Sequence, residues 1–200
     1  MNQSKLVNSK HLNPRLPYNR LNEAPLILKP KLYVYQMRQD DQRKCTAAKL
    51  CRFGLVQPIF QKRKIPKKGI TLNPRALDVF SPKDKPYLIH GLVAIDCSWK
   101  RIDESFSKRF RGLNRRLPLL IATNPINYGK ISMLSSVEAL ASTLYIANYI
   151  EESRKLMSIF KWGLNFLELN KNPLEEYRLA KSPEDVIKIE REYFGKIISF

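Results

Sequence analysis

The chain has 200 residues with 44% hydrophobic content, which is enough to bury a core in one large domain or two small ones. Lysine and arginine number 36 against 18 acidic residues, and the formal net charge of +18 points to a polyanionic partner such as nucleic acid. No apolar run approaches the roughly 18 residues of a membrane-spanning helix, and the first residues do not read as a signal peptide. We therefore expect a cytoplasmic protein that does not contact membranes.

The cysteines and histidines argue against metal chemistry and against a disulfide framework. Cys45, Cys51 and Cys97 are an odd number, and their spacing is typical neither of disulfides nor of zinc ligands. His11 and His90 have no second ligand residue at a suitable spacing. We expect no bound metal and a reducing compartment.

The first elements follow a long polar segment. Residues 1–30 contain four prolines and no sustained hydrophobic period, which predicts a basic, flexible arm. Residues 32–36 are β-rich and predict a strand. Residues 44–53 carry apolar side chains at three-residue steps and predict a helix that Gly54 ends.

A basic loop and a short helix are predicted next. Residues 61–68 hold five positive charges around a proline, and in so basic a chain they predict contact with RNA phosphates rather than a merely solvated turn. The RNA-binding candidates in this loop are Lys62, Arg63, Lys64, Lys67 and Lys68. Asn73 followed by Pro74 predicts one or two helical turns over residues 74–80.

Buried apolar runs predict the strands of a mainly parallel sheet. Residues 87–89, 92–95 and 117–122 are such runs, and the last two end abruptly in polar residues. In open parallel sheets, ligands gather beyond the carboxyl ends of the strands. The junctions at Asp96 and at Thr123 are therefore candidate site positions.

A second basic segment lies between these runs. Residues 100–116 predict a helix that docks through Phe106 and Phe110 and leaves its cationic side chains outside. The RNA-binding candidates here are Arg101, Arg109, Arg111, Arg115 and Arg116.

The remainder of the chain is predicted to be helical. Ser135 and Glu138 form a capping box that opens a long amphipathic helix, and two further helices are predicted to open at residues 172–173 and 182–183. We thus expect an α/β domain over residues 31–95 and a mostly helical domain over residues 96–200, with the functional site at their junction.

Common catalytic signatures are absent from the sequence. With seven glycines there is no G-x-G-x-x-G, no Walker loop and no G-x-S-x-G, which argues against a Rossmann dinucleotide site, a P-loop ATPase and a serine hydrolase. Asp96 follows four apolar residues, so it is either a carboxylate with a raised pKa that could abstract a proton or a structural helix cap. Trp99 either stacks on a base or belongs to the core.

Four polar segments, taken together and in this order, resemble the ribosomal small-subunit rRNA aminocarboxypropyltransferase family. They are residues 40–50 (Asp-Asp-Gln-Arg-Lys-Cys-Thr-Ala-Ala-Lys-Leu), residues 96–99 (Asp-Cys-Ser-Trp), residues 117–129 with their Asn-Pro-Ile-Asn-Tyr-Gly end, and residues 134–139 (Leu-Ser-Ser-Val-Glu-Ala). The likeness extends over roughly residues 31–195.

The resemblance implies an activity and a fold. It implies transfer of the 3-amino-3-carboxypropyl group of S-adenosylmethionine to N3 of a uridine, typically N1-methylpseudouridine, in small-subunit rRNA, with methylthioadenosine released and no metal required. It also implies a SPOUT-like sheet with a trefoil knot, and we expect the protein to be a monomer.

The resemblance also implies roles for individual residues. Asp96 would be the general base or an orienter of the pocket, and Trp99 would form a wall against the adenine. The other implied cofactor contacts are Thr46 at the ribose, backbone groups of Ile95 and Leu117, Ser136 at the carboxylate end, and Ser132. Residues 129–132 depart from the Gly-x-Pro-aromatic pattern of similar family members, so the contact at Ser132 is implied through its backbone.

Two other functions are compatible with the same sequence features. A SPOUT-type RNA methyltransferase would use the same fold and cofactor but transfer the methyl group. A non-catalytic assembly protein would bind rRNA through its charge alone, which the basic composition fits equally well.

Overall fold

The computed structural model describes residues 29–37, 45–107 and 109–197. Nearly all of the predicted arm, and residues 40–44 of the first family-like segment, lie outside the described residues. The strands are β1 (Leu32–Gln36), β2 (Gln57–Ile59), β3 (Ile70–Leu72), β4 (Leu92–Asp96) and β5 (Leu113–Arg115). The helices are α1 (Thr46–Arg52), α2 (Ile102–Ser105), α3 (Ser136–Ile146), α4 (Ile150–Ser158), α5 (Gly163–Leu169), α6 (Lys171–Leu179) and α7 (Pro183–Phe194).

The five strands form one sheet in the order β2-β1-β4-β3-β5, and each of its four strand pairings is parallel. The predicted strand at residues 32–36 and the mainly parallel sheet are confirmed. In the register of β1 and β4, Gln36 lies opposite Asp96, so both strands end side by side. β5 pairs with β3 although it lies beyond residue 96. The division into two domains at that residue, and the knot, stay predictions.

Alternation along the strands gives the sheet two apolar faces. Val34 and Ala94 point into the main core, where α1 and α3 pack. Tyr35 and Val93 point to the opposite face, into a smaller cluster that includes Phe106 and Phe110. Both faces are therefore covered, as parallel sheets require.

Helices account for most of the chain from Ser136 to Phe194, and local capping explains where several of them begin. The Ser135 hydroxyl accepts from the Glu138 backbone N–H, and the Glu138 carboxylate accepts from the Ser135 backbone N–H, which confirms the predicted capping box. Ser182 caps α7, with Pro183 in its first turn. Among the described residues, no helix is both long and apolar enough to cross a bilayer.

The prediction of a strand at residues 117–122 is wrong. The strand of this region, β5, begins four residues earlier and ends at Arg115. Side chains of the C-terminal helical part bond to the peptide groups that follow it. The Glu190 carboxylate accepts from Leu119 N at 3.0 Å, and the Tyr177 hydroxyl donates to Leu119 O at 3.1 Å. Asn170 accepts from Ile121 N at 2.8 Å and donates to Ile121 O at 2.9 Å. These bonds satisfy the backbone without a neighbouring strand.

The prediction of one helix over residues 100–116 is also wrong. In the described part of this segment, only the short α2 and a 3-10 turn at Trp99–Arg101 are helical. Gly112 has a φ of +85°, and the Asn114 side chain donates to the Phe110 carbonyl at 2.8 Å, so local side-chain bonding replaces the helical ladder. The predicted docking of Phe106 and Phe110 is nevertheless confirmed, since both are buried and their rings lie edge to face at 5.5 Å.

Two shorter predictions fail for similar local reasons. Residues 74–80 form turns rather than a helix, because the Asn73 side chain accepts from Arg75 N and donates to Asn114. Residues 87–89 belong to a 3-10 helix, Pro82–His90, rather than to a strand. Pro82 and Pro86 supply the fixed φ angles and remove the donors that a sheet would need.

A largely buried ion pair ties the last helix to the segment after β5. Arg116 donates two hydrogen bonds to the Glu190 carboxylate, at 2.6 and 2.9 Å, and only 5% of the Glu190 side chain is exposed. Because Glu190 also accepts from Leu119 N, one carboxylate fixes both the guanidinium and the backbone next to it.

We expect Glu190→Ala to lower the free energy of unfolding by about 3 kcal/mol, because it removes the acceptor of the partly buried Arg116 guanidinium and of the Leu119 backbone N–H. Urea denaturation monitored by circular dichroism measures this. Glu192→Ala is the matched control, since Glu192 lies on the same helix and is exposed. Equal stability of the two variants would show that the pair contributes nothing.

Candidate active site

A cavity of about 1090 Å³ opens at the carboxyl ends of the strands. The end of β4, the start of α1, the segment after β3, the loop over residues 117–135 and the start of α3 form its wall. Its position agrees with the edge at which parallel sheets bind ligands.

The cavity wall contains every residue for which the sequence predicts a cofactor contact. These residues are Thr46, Ile95, Trp99, Leu117, Ser132 and Ser136. They come from α1, β4, the turn after β4, the loop that follows β5, and α3, so only the fold brings them together. Their contacts with a cofactor stay predictions.

Ser132 combines an unusual backbone conformation with a side chain that has no partner among the described residues. Its φ is +59°, in the left-handed region, and its backbone N–H donates to the Leu120 carbonyl at 2.8 Å. Its buried hydroxyl has no hydrogen-bond partner in the part of the chain that the structure describes. A buried hydroxyl in a cavity wall without a partner fits a polar ligand. The sequence had indicated only a backbone contact there.

Asp96 is the last residue of β4 and joins the starts of two helices. Cys45 Sγ donates to Asp96 Oδ2 at 3.1 Å, and Ser136 Oγ donates to Asp96 Oδ1 at 3.2 Å. Both donors line the cavity, whereas Asp96 lies behind them and is not one of the described wall residues. The carboxylate is therefore positioned to act on the cavity through its two neighbours.

Cys45 is a donor that keeps its proton. Burial, and then the nearby Asp96 charge, raise the pKa of the Cys45 thiol to about 12. The same sulfur accepts from Ala48 N at 3.3 Å and so caps α1. The thiol consequently links the start of α1 to the end of β4 throughout the neutral pH range.

Trp99 is held by a hydrogen bond to the opposite part of the wall. Its indole Nε1 donates to the Leu134 carbonyl at 3.0 Å. The bond fixes the ring, which leaves its faces as the surface available to a ligand.

Glu138 connects several segments next to the cavity, a role that the sequence did not reveal. Glu138 Oε1 accepts from Thr123 N (2.7 Å), Thr123 Oγ1 (3.2 Å) and Asn124 N (3.0 Å). Oε2 accepts from Asn124 Nδ2, Ser135 N and Ser135 Oγ, each at 2.7 Å. Glu138 is fully buried. The capping box located this residue, but its bonds to Thr123 and Asn124 depend on tertiary structure.

The charged side chains in the cavity wall are positive. Among the described residues that line the cavity, Lys49, Lys100, Arg116 and Lys130 are cationic and none is a carboxylate. Such a lining favours ligands that carry phosphate or carboxylate groups.

The two predicted basic segments meet in one surface. Arg111 Nη1 donates to the Arg63 carbonyl, and Lys62 Nζ lies 4.2 Å from the centroid of the Phe110 ring. Phe106, which packs on Phe110, also lines the cavity, so this surface adjoins the cavity. Lys64, Lys67, Lys68 and Arg109 are exposed.

Three predicted RNA contacts are ion-paired within the chain. Arg116 binds Glu190. Arg115 binds Asp84, which is buried, and also Asp78. Arg101 pairs with Glu104 on the surface. The guanidiniums of Arg115 and Arg116 thus have structural partners, while contact of any of the three with RNA stays a prediction.

The structure also bears on metal ligands. In residues 29–37, 45–107 and 109–197, no group of three or more His, Cys, Asp or Glu side chains is arranged to hold a metal ion.

Comparisons with known proteins agree on one family. The family model described as "Ribosome biogenesis protein, C-terminal" matches residues 70–194. A 16S rRNA aminocarboxypropyltransferase of Methanosarcina mazei is 40% identical over 164 residues, covering 81% of this chain and 94% of that protein. One of Thermoplasma volcanium is 46% identical over 170 residues, covering 82% of this chain and 98% of that protein.

A solved structure is similar as well. The SAM-dependent rRNA:acp-transferase Tsr3 from Vulcanisaeta distributa is 41% identical and matches with a TM-score of 0.76. The match covers 83% of this chain and 89% of that chain.

We expect Glu138→Gln to destabilise the protein by roughly 3–5 kcal/mol, since the amide cannot accept all six hydrogen bonds and its NH2 group would face donors. Denaturation in urea measures the loss, and calorimetry with S-adenosylmethionine measures the accompanying loss of affinity. Glu168→Gln, at an exposed position of α5, is the control. Unchanged stability and affinity in Glu138→Gln would contradict a structural role for the carboxylate.

Proposed function

Because the chain belongs to the family of 16S rRNA aminocarboxypropyltransferases, we propose that it transfers the 3-amino-3-carboxypropyl group of S-adenosylmethionine to N3 of a uridine, N1-methylpseudouridine, in small-subunit rRNA. It would thereby serve ribosome biogenesis. The observation that carries the proposal is the cavity at the carboxyl end of the sheet, whose wall contains all six residues that the sequence suggests for cofactor binding.

S-adenosylmethionine would supply an electrophilic carbon next to the sulfonium. N3 of the uridine would bond to this carbon as the C–S bond breaks, methylthioadenosine would leave, and the N3 proton would pass to water. The protein's task is then mainly alignment, because the thioether departs without protonation. Thr46 and Ser136 would offer hydroxyls, Ile95 and Leu117 backbone groups, and Trp99 a ring face. Ser132 would complete the set with its unpartnered hydroxyl as well as its backbone.

We favour a positioning role for Asp96 over a role as general base. Its carboxylate accepts from Cys45 and Ser136, and both of those residues line the cavity. Through these bonds it would hold Ser136 toward the amino-acid end of the cofactor and Thr46 toward the ribose. The alternative, proton removal from uridine N3 by Asp96 itself, predicts different kinetics.

Binding of rRNA would use the surface around Lys62, Arg63 and Arg111, next to the cavity. Phosphate contacts there would orient the RNA without reading its sequence, so specificity would come from the cavity. A monomeric state, a cytoplasmic location and the trefoil knot remain part of this proposal.

We expect carboxyl-labelled S-adenosylmethionine to transfer its label to small-subunit rRNA that carries the unmodified acceptor. Scintillation counting of purified rRNA, followed by mass spectrometry of its nucleosides, measures the product. Methyl-labelled cofactor is the control and should leave the RNA unlabelled. Methyl label alone in the RNA would indicate a methyltransferase, and absence of cofactor binding by calorimetry would indicate a non-catalytic assembly protein.

We expect Asp96→Asn to raise the Kd for S-adenosylmethionine by roughly 10–100-fold, because the amide offers one uncharged acceptor oxygen where the carboxylate offers two charged ones to Cys45 and Ser136. Binding of rRNA should be retained, and Asp96→Ala should abolish transfer. Calorimetry and single-turnover kinetics separate affinity from rate, and Asp103→Asn, at an exposed position, is the control. An unchanged Kd with a transfer rate that falls roughly 10²–10⁴-fold would instead identify Asp96 as the base.

A further inference from the structure

Two aromatic side chains of the cavity wall have no part in the proposed cofactor site. Phe160 and Trp162 follow α4, and their ring centroids lie 5.3 Å apart with planes inclined at 42°. Both line the cavity. Phe160 is buried, whereas Trp162 is half-buried and packs against the edge of the main core.

The ring pair is held in place by α1. Lys49 Nζ donates to the Ile159 carbonyl at 2.9 Å and lies 4.7 Å from the centroid of the Phe160 ring. Lys49 also lines the cavity, one helical turn after Cys45 and Thr46. The same helix thus joins the Asp96 network to the aromatic pair.

We propose that the indole of Trp162 is the stacking surface for the acceptor nucleobase, with Phe160 supporting the ring and Lys49 placing a positive charge beside the nucleotide. This inference rests on the proposed function, since it assumes that a nucleobase enters the cavity.

The size of the cavity leaves room for a second ligand. Pockets for single small molecules usually measure roughly 300–1,000 Å³. The volume of about 1090 Å³ exceeds that range. This volume is compatible with a cofactor and a nucleoside side by side, as transfer between them requires.

The chemistry of the acceptor demands such a surface. N3 of uridine lies on the edge used for base pairing, so the base must leave its pair and its stack before N3 can be attacked. Enzymes that extrude a base replace the lost stacking with contacts to aromatic side chains.

Trp162 suits this task better than Trp99. The Trp99 N–H is bonded to Leu134, and the proposed function already assigns its face to the adenine. Within the described part of the chain, the Trp162 N–H has no hydrogen-bond partner, which leaves it for solvent or a ligand. The cationic lining, free of described carboxylates, suits the phosphates of an entering nucleotide.

The two tryptophans are the only ones in the chain, so Trp99→Phe makes Trp162 the sole indole emitter. We expect the fluorescence of this variant to be quenched by a synthetic rRNA hairpin with N1-methylpseudouridine at the target position. A hairpin with an abasic nucleotide there should bind without this quenching. Equal quenching by both hairpins, or none by either, would overturn the proposal.

Substitution of Trp162 in an otherwise unchanged chain gives a second measurement. We expect Trp162→Ala to weaken binding of the complete hairpin on the order of tenfold to a hundredfold and to leave binding of the abasic hairpin unchanged. Trp162→Phe, which keeps an aromatic ring, should bind the complete hairpin with an affinity between those of the wild type and Trp162→Ala. The affinity of both variants for S-adenosylmethionine should not change. Phe53→Ala removes an exposed aromatic ring outside the cavity wall and is the control.

These binding measurements need no transfer, so they separate this inference from the proposed function. Base-dependent quenching without any label transfer would contradict the proposed function alone. Transfer by the wild type together with equal weakening of both hairpins in Trp162→Ala would contradict the stacking role alone. A Trp162→Ala variant that fails to fold leaves Trp162→Phe and the single-tryptophan fluorescence to decide.

Discussion

The buried carboxylate of Glu138 is the constraint on which the site depends. It accepts six hydrogen bonds, from the backbone and side chains of Thr123, Asn124 and Ser135. A buried charge is stable only when its lone pairs are satisfied in this way. Through these hydrogen bonds, Glu138 holds both ends of the loop over residues 124–135 against the first turn of α3. That turn presents Ser136 to Asp96.

The cavity wall is irregular backbone that distant helices hold. Leu119 and Ile121 bond to side chains of α6, α7 and the residue before α6, rather than to a strand. Polar groups that would be costly to bury are therefore satisfied, while the cavity side of the loop stays available to a ligand. The helical part of the chain is consequently part of the site, because it fixes the loop and also supplies Phe160 and Trp162.

Predictions from local pattern succeeded where short-range physics decides the structure. The strand at residues 32–36 has strong β propensity, and the capping box at Ser135 needs only residues three apart. The prediction of a helix over residues 100–116 failed because the side chains of Asn114 and Thr71 donate hydrogen bonds to the backbone carbonyls of Phe110 and Arg111. Nothing in the spacing of the phenylalanines distinguishes a helix from a loop that docks the same two rings.

The sequence by itself determined that the sheet is mainly parallel and where two of its strands lie. It also determined the basic character and, through four matching segments, the family-like residues of the site. Tertiary structure decided which of those residues share one wall, since Thr46 and Ser136 are ninety positions apart. It also decided that Arg116 is paired with Glu190, that Glu138 organises a loop, and that Trp162 reaches the cavity. The physical reason is that burial and hydrogen-bond satisfaction depend on partners that local propensity does not encode.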